Sequence, residues 1–154
     1  MTNSNGMNPK SKINFADFQK VEITVGKILS AEKVPETDKL LKLMVDFGLS
    51  PLIKGAEERE EIPPPIRIGV LPLEKGELEK KQWRDIRQII SGIAGYFPEP
   101  SILVGKKCMF VTNLEPRVIK GLESNGMLFA VSTEDGKFSL LEPSSEIQEG
   151  TRAR

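Results

Sequence analysis

The chain has 154 residues, of which 38% are hydrophobic and 29% charged, a balance typical of a single folded domain in water. It contains no histidine and one cysteine, Cys108, which excludes histidine-dependent nucleophilic systems and zinc sites of the usual ligand set. It carries no phosphate-loop motif, and we expect no catalytic residue, metal or cofactor. The 22 basic and 22 acidic residues cancel, so only a local excess of positive charge would attract a polyanion.

The compartment follows from two features of the sequence. No apolar run is long enough to span a membrane, and a single cysteine cannot form an internal disulfide, so we predict a cytoplasmic protein without membrane contact. Residues 1–12, MTNSNGMNPKSK, are polar and lack the apolar stretch of a signal peptide. We predict that they form a disordered tail before a domain at 13–154.

The first half of the chain predicts a short helix and two strands. Residues 13–21, INFADFQKV, have apolar side chains at near-helical spacing, with Asn14 as a candidate cap. VEITVGKILSAEKV then alternates apolar and polar residues, which predicts a long strand that bends or bulges at Gly26. KLLKLMVDFG predicts a second strand that places three apolar residues on one face: Leu41, Leu43 and Val45.

The second half predicts a long insertion and further strands. Residues 49–84 contain five prolines and few aromatics, so we predict an inserted loop, partly extended, with a short helix near 76–83. DIRQIISGIAG, SILVGKKCMFVTNL and GMLFAVS predict three more strands, and a hairpin turns at 134–136 before a C-terminal extension. Short strands with one helix predict an all-β fold, and a five-stranded OB-fold Greek-key barrel is the smallest closed arrangement.

Four blocks of the sequence, taken in order, resemble one family. They are VEITVGKIL, VPETDKLLKLMVDFG, RQIISGIAGYFP and LVGKKCMFVTNLEPRVIKGLESNGMLFA. They resemble the tRNA-binding domain found at the C-terminus of methionyl-tRNA synthetases, in free-standing beta-type subunits and in synthetase-associated cytokine-like proteins. The resemblance covers about 13–48 and 86–154 and leaves 49–84 without a counterpart.

The resemblance implies an OB-fold that binds tRNA by shape and backbone, with little regard to sequence. It implies a non-catalytic protein that assists an aminoacyl-tRNA synthetase of the methionyl type in trans. It also implies a homodimer that pairs through the N-terminal segment and the C-terminal extension.

The segment 113–127, NLEPRVIKGLESNGM, lies between two apolar runs and carries the candidate ligand-binding side chains. The guanidinium of Arg117 suits a phosphate, and Lys120 adds a point charge. Small hydrogen-bonding groups and a soft apolar side chain would contact sugar or base edges, namely those of Asn113, Ser124 and Met127. Analogy with the family adds Ser91. Lys39 and Lys42 are candidates because they lie on the polar side of the second strand, a common ligand surface of barrels, and Arg87, just before the apolar run of the third strand, joins them.

Charge and aromatic content indicate the binding mode. Residues 102–131 contain two more basic than acidic residues, which predicts a locally cationic rim and strongly salt-dependent affinity. Aromatic residues make up only 6% of the chain, which disfavours a reader of single strands by base stacking. The same residues also fit a structural interpretation, in which the charged side chains solvate loops, the glycines form turns and Met127 packs in the core.

A second function stays open at this stage. The same fold group includes small dimeric secretion-associated chaperones that bind polypeptide, and the zero net charge and the insertion agree with such a factor. The PETDKLLKL and NLEPRVIKGLESNGM blocks favour tRNA. An enzyme is disfavoured because no pair of carboxylates or lysines has a telling spacing.

Overall fold

The computed structural model describes residues 9–49, 67–69 and 82–154, with the backbone alone for 67–69, 82 and 83. The helix is α1 (Phe15–Phe18), and 3-10 turns lie at Ala94–Tyr96 and Pro100–Leu103. The strands are β1 (Ile23–Lys33), β2 (Leu41–Leu49), β3 (Arg67–Gly69), β4 (Gln82–Ser91), β5 (Lys107–Val111), β6 (Arg117–Ile119), β7 (Leu122–Ser124), β8 (Met127–Leu128), β9 (Ala130–Ser132) and β10 (Phe138–Leu140).

Six strands form one curled antiparallel sheet in the order β3-β4-β2-β1-β5-β8. Two short ribbons, β6–β7 and β9–β10, complete the strand structure. The curled sheet forms half of a barrel, which confirms the predicted all-β fold of the OB type. No helix in the described residues is long and apolar enough to cross a membrane.

The core lies on the concave face of the sheet. The three apolar residues predicted to share one face of β2 are fully buried there, and β4 and β5 contribute Ile89 and Phe110. Gly26 permits this packing, because an added Cβ would lie 2.5 Å from a side-chain carbon of Val45 and 2.9 Å from one of Phe110. The predicted bulge falls three residues later, where the register of β1 shifts around Leu29.

The N-terminal helix forms as predicted but buries none of its residues. The Asn14 side chain caps it by accepting a hydrogen bond from the backbone N–H of Asp17 at 2.7 Å. Phe15 and Phe18 remain 71% and 51% exposed. These two phenylalanines therefore form an exposed apolar patch on one side of the helix.

Several sequence predictions need correction. The strand expected over 85–95 ends at Ser91, and the single strand expected over 126–132 is divided into β8 and β9. The strand expected over 101–114 begins only at Lys107, because Pro100–Leu103 forms a 3-10 turn that buries Leu103. The predicted insertion contains a strand, β3, which pairs with Gln82–Arg84 at the start of β4. Residues 82 and 83, expected to end a helix near 76–83, therefore belong to a strand. Residues 1–8, 50–66 and 70–81 lie outside the described residues, and the predicted domain boundaries stay predictions.

The end of the chain forms a C-terminal strap, residues 147–153, along the first half of β1. Val25 donates its N–H to the carbonyl of Thr151 at 2.9 Å and accepts from Gly150 at 2.8 Å. Gly150 has φ +90°, and a Cβ there would lie 2.6 Å from the carbonyl oxygen of Phe47. The strap therefore needs glycine where it crosses the end of β2.

Candidate nucleic-acid interface

The predicted ligand-facing segment is built around a tight hairpin. Strands β6 and β7 pair from Arg117↔Ser124 to Ile119↔Leu122, which leaves a two-residue turn at Lys120 and Gly121. Both turn residues have positive φ, +51° and +77°, as a type I′ turn requires. This turn matches the natural twist of two strands, so the hairpin is a defined arm and not an irregular loop.

The hairpin presents cations and apolar side chains together. Arg117 and Lys120 are exposed, and within the described part of the chain neither forms an ion pair. Val118 is 73% exposed, and Leu114 and Met127 are 46% and 45% exposed. The structure therefore places Met127 at the surface, where the sequence left its position open.

Ser124 holds the hairpin on the barrel and does not face outward. It is 4% exposed, and its hydroxyl accepts from the N–H of Ile90 at 3.0 Å and donates to the carbonyl of Gly126 at 3.2 Å. Next to it, the N–H of Asn125 donates to the carbonyl of Gln88 at 2.9 Å. These bonds dock the hairpin on the edge of β4 that β2 does not use.

Asn113 is also engaged within the chain. Its side-chain oxygen accepts from the N–H of Glu22 at 2.8 Å, and its amide nitrogen donates to the carbonyl of Lys20. Asn113 thus ties the start of the hairpin segment to the residues that lead into β1. The structure uses this side chain to position the segment, which differs from the ligand contact that the sequence suggested.

Arg87 lies on the concave side of β4, opposite Val45 in the β2 ladder. Its Nε and Nη2 atoms donate to the two carboxylate oxygens of Asp85 at 2.9 and 2.8 Å, and Nη1 donates to the carbonyls of Thr112 and Asn125. The guanidinium lies 5.3 Å from the centre of the Phe47 ring. All three guanidinium nitrogens of Arg87 therefore already donate hydrogen bonds within the chain, which leaves few donors for an outside ligand.

The remaining candidates lie beside the hairpin on β2 and β4. Lys42 on β2 lies opposite Ile90 on β4, and the N–H of Ile90 donates to Ser124 of the hairpin. The backbones of Lys42, Ile90 and Ser124 therefore form a row across the sheet, roughly 10 Å long at ordinary strand spacing. Lys42 forms an ion pair with Glu32 at 2.8 Å and is half-buried.

Lys39 and Ser91 lie where β2 begins and β4 ends, but Ser91 shares the face of its partner Leu41, opposite to the face that carries Lys42. Lys39 is exposed, and its carbonyl accepts from Ala94 at 3.1 Å, just after β4. Ser91 is half-buried opposite Leu41. Asn113, Ser124 and Arg87 bond within the chain, and Lys39, Lys42 and Ser91 stay predictions. Exposed on the hairpin or directly after it are Arg117, Lys120 and Met127. We call this group the hairpin rim.

The local excess of positive charge is smaller than the sequence count indicated. Lys106 pairs with Glu142 at 3.2 Å, and Lys107 donates to the carbonyls of Ser145 and Ile147. Both lysines therefore serve the residues that lead into the strap. The exposed cations of the hairpin remain, with exposed glutamates at 115 and 123 beside them.

Sequence reasoning missed the groups that hold the hairpin, above all Asp85, Gln88 and Thr112. The alternation in DIRQIIS contained a signal, because it puts Arg87 on the same face as Ile89, which is buried. A period of two therefore predicts that Arg87 points inward. The carbonyl partners carried no such signal, since any residue supplies a backbone carbonyl.

Comparisons with known proteins identify the family and the fold of the chain. A family model described as "Putative tRNA binding domain" matches residues 57–152. The methionine–tRNA ligases of Porphyromonas gingivalis and Methanoregula boonei are 34% and 38% identical to this chain over 142 residues, or 92% of it. The chain spans only 16% of the length of either ligase.

Solved structures show the same fold. A MetRS-related protein from Pyrococcus horikoshii has a TM-score of 0.65 and 32% identity, with 94% of this chain and 100% of that one covered. The chaperone CsaA from Bacillus anthracis has a TM-score of 0.63 at 21% identity, with 94% and 100% covered, which shows a shared fold alone. These findings confirm the resemblance drawn from the sequence blocks, and the chain belongs to the family of tRNA-binding domains.

Proposed function

We propose that the hairpin rim binds folded tRNA by its shape and backbone, largely without regard to sequence. The observation that carries this proposal is the exposure of Arg117 and Lys120 on a hairpin that is docked firmly to the barrel. A rigid arm loses little conformational freedom on binding, so its cations meet phosphates at low entropic cost. The family membership supports tRNA as the ligand.

The chemistry of the rim fits a structured RNA better than a single strand. The deep major groove of A-form duplex excludes side chains, whereas phosphates, 2′-hydroxyls and loop bases stay accessible. The rim offers cations and small apolar groups, and the one described tyrosine, Tyr96, is already stacked on Phe138 with ring centres 4.2 Å apart. With few cations available, we expect modest affinity that falls as salt rises.

A titration of labelled tRNA at two or more salt concentrations tests this proposal. Arg117→Ala should lower the affinity about fivefold and reduce the slope of log affinity against log salt by about 0.7 to 0.9, the value of one phosphate contact. Lys137→Ala is the control, because Lys137 is an exposed cation in the β9–β10 turn that is paired with Asp135 at 3.3 Å. Salt-independent binding by the wild type, or equal losses in both variants, would refute the proposal.

We infer that the chain acts in the cytoplasm as a non-catalytic module that supplies tRNA to a synthetase of the methionyl type. The resemblance to methionine–tRNA ligases and to a MetRS-related protein supports this partner. Holding tRNA near an active site raises its effective concentration, so the chain should lower the KM for tRNA and leave kcat unchanged. Aminoacylation assays with and without the chain, and with Arg117→Ala in its place, measure this.

We propose that two copies pair through α1 and the chain end. Phe15, Phe18 and Ile23 line an apolar groove of about 390 Å³ together with Ala153. A second copy fits this groove because both segments named by the resemblance contribute to it. Sedimentation of wild type and a Phe15→Ser/Phe18→Ser double variant tests the pairing, with a concentration-dependent dimer expected for the wild type alone.

Polypeptide binding is the competing outcome. Capture of partners from lysate, with and without nuclease, separates the two functions. Loss of the captured material after nuclease supports RNA binding, and retention of polypeptide after nuclease contradicts it.

A further inference from the structure

The β6–β7 hairpin is attached to the barrel at both of its ends, and one side chain reaches both. Thr112 is the last residue before the hairpin segment, and Asn125 follows β7. Arg87 Nη1 donates to the carbonyl oxygen of Thr112 at 2.6 Å and to that of Asn125 at 3.4 Å. Within the described residues, no other side chain is hydrogen-bonded to both carbonyls.

Asp85 determines the direction in which Arg87 points. The two residues are neighbours on one face of β4, and their side chains are only 15% and 18% exposed. The carboxylate accepts two parallel hydrogen bonds, a geometry that fixes the plane of a guanidinium. The Phe47 ring lies against the same group, which restricts it further.

We propose that Asp85 and Arg87 form a clamp that sets the direction of the hairpin, and that Arg87 acts on RNA binding through this clamp without touching RNA. Arg87 is therefore a positioning residue. This inference rests on the proposed RNA-binding function. It assigns to Asp85, an acidic side chain, a positive contribution to the binding of a polyanion.

The sign of the Asp85 effect separates the clamp from simple electrostatics. Asp85→Asn removes a negative charge, so the longer-range field alone predicts tighter binding of RNA. The clamp predicts weaker binding, because an amide offers Arg87 one acceptor atom in place of two and the guanidinium loses its fixed plane. We expect the affinity to fall about fivefold with no loss of salt slope.

Arg87→Lys provides an independent second variant. Lysine keeps the positive charge but has no planar fork, so it cannot hold Asp85 and both carbonyls together. The clamp predicts weaker RNA binding with the wild-type salt slope. If Arg87 contacted a phosphate as a point charge, Arg87→Lys would bind with nearly wild-type affinity.

Hydrogen exchange shows whether the hairpin has come loose. The N–H of Asn125 donates to Gln88 and that of Ile90 to Ser124, so both report on docking. In each variant these two amides should exchange faster while the amides of the β1–β2 ladder stay protected, which excludes general unfolding. Tighter RNA binding by Asp85→Asn, or unchanged exchange at both amides, would overturn the clamp.

Arg117→Ala, measured in parallel, keeps this test apart from that of the proposed function. If wild-type binding is salt-independent, or Arg117→Ala leaves the affinity unchanged, the RNA interface itself is wrong. If Arg117→Ala behaves as expected and Asp85→Asn tightens binding, only the clamp is wrong.

Discussion

The barrel wall and the β6–β7 hairpin both carry arginine, but in different surroundings. In β4, Arg84 and Arg87 have side chains only 17% and 18% exposed, and they are paired with Asp46 and Asp85. Arg117 in the hairpin is exposed and has no ion pair within the described residues. A count of charges treats these residues alike, whereas their partners separate a structural cation from one that is available to a ligand.

The largest effect is expected from removing a cation of the barrel wall. Arg84→Gln leaves Asp46, whose side chain is 8% exposed, without its ionic partner. It also removes the 2.9 Å ion pair between residue 84 and Glu149. We expect the free energy of unfolding to fall by about 3 kcal/mol, since breaking a buried pair strands a charge. Urea unfolding at a fixed protein concentration measures this change.

Arg117→Gln is the matched change in the hairpin. It should alter the free energy of unfolding by no more than about 0.5 kcal/mol, as is usual for an exposed side chain. Equal losses in the two variants would remove the distinction between the regions.

The burial of Cys108 in the barrel interior predicts that the stability of the fold depends on pH. Burial, with a smaller effect of the Glu142 carboxylate, raises the pKa of Cys108 to about 11, although Lys106 acts to lower it. The thiol of an unfolded chain titrates near 8.5 to 9, so the folded state binds the extra proton between the two values. The corresponding stability is complete below that range and is lost as the pH rises through about 11.

We expect the wild type to lose about 2 kcal/mol more than Cys108→Ala between pH 8 and pH 11. Urea unfolding of both chains at each pH isolates the thiol, because the other titrating groups are common to the two. An identical pH dependence would show that Cys108 is not in a dry site.

The turn of the hairpin predicts a smaller effect that separates stability from binding. Lys120 has φ +51°, a conformation that costs most side chains about 1 kcal/mol and that asparagine tolerates better. Lys120→Asn should therefore raise the free energy of unfolding by up to about 1 kcal/mol while weakening RNA binding through the loss of charge.

Lys120→Ala is the control for this turn, because it loses the same charge and keeps the strain. Both variants should bind RNA equally weakly, but only the asparagine variant should be more stable. If Lys120→Asn binds RNA as well as the wild type does, the lysine is not part of the interface.

Local patterns predicted most of the fold. Alternation in KLLKLMVDFG identified the buried face of β2, and Asn14 caps the helix that it was expected to begin. The strand expected over 101–114 was too long, because an apolar run does not show where a 3-10 turn ends and a strand begins. Strand β3 was missed since a short edge strand in a proline-rich segment has no periodic pattern.

The site was predicted only in part. The segment, its cations and its glycine turn could be predicted, because residue types and turn geometry are local properties. The roles of Asn113 and Ser124 could not, since their partners, Glu22 and Ile90, lie 91 and 34 residues away in the chain.

Local sequence patterns predicted the fold class and the inventory of basic side chains, because alternation, capping and turn preferences act over a few residues. They did not predict the β6–β7 hairpin, whose segment was expected to be a loop. Which of the basic side chains are available to a ligand depends on long-range contacts in the folded chain. Arg84 meets Glu149 across 65 residues and Arg87 meets Thr112 across 25, and these contacts exist only once the chain has folded. A cation's availability depends on the groups that folding brings within hydrogen-bonding distance, and neighbours in the sequence, such as Asp85 beside Arg87, supply only some of those groups.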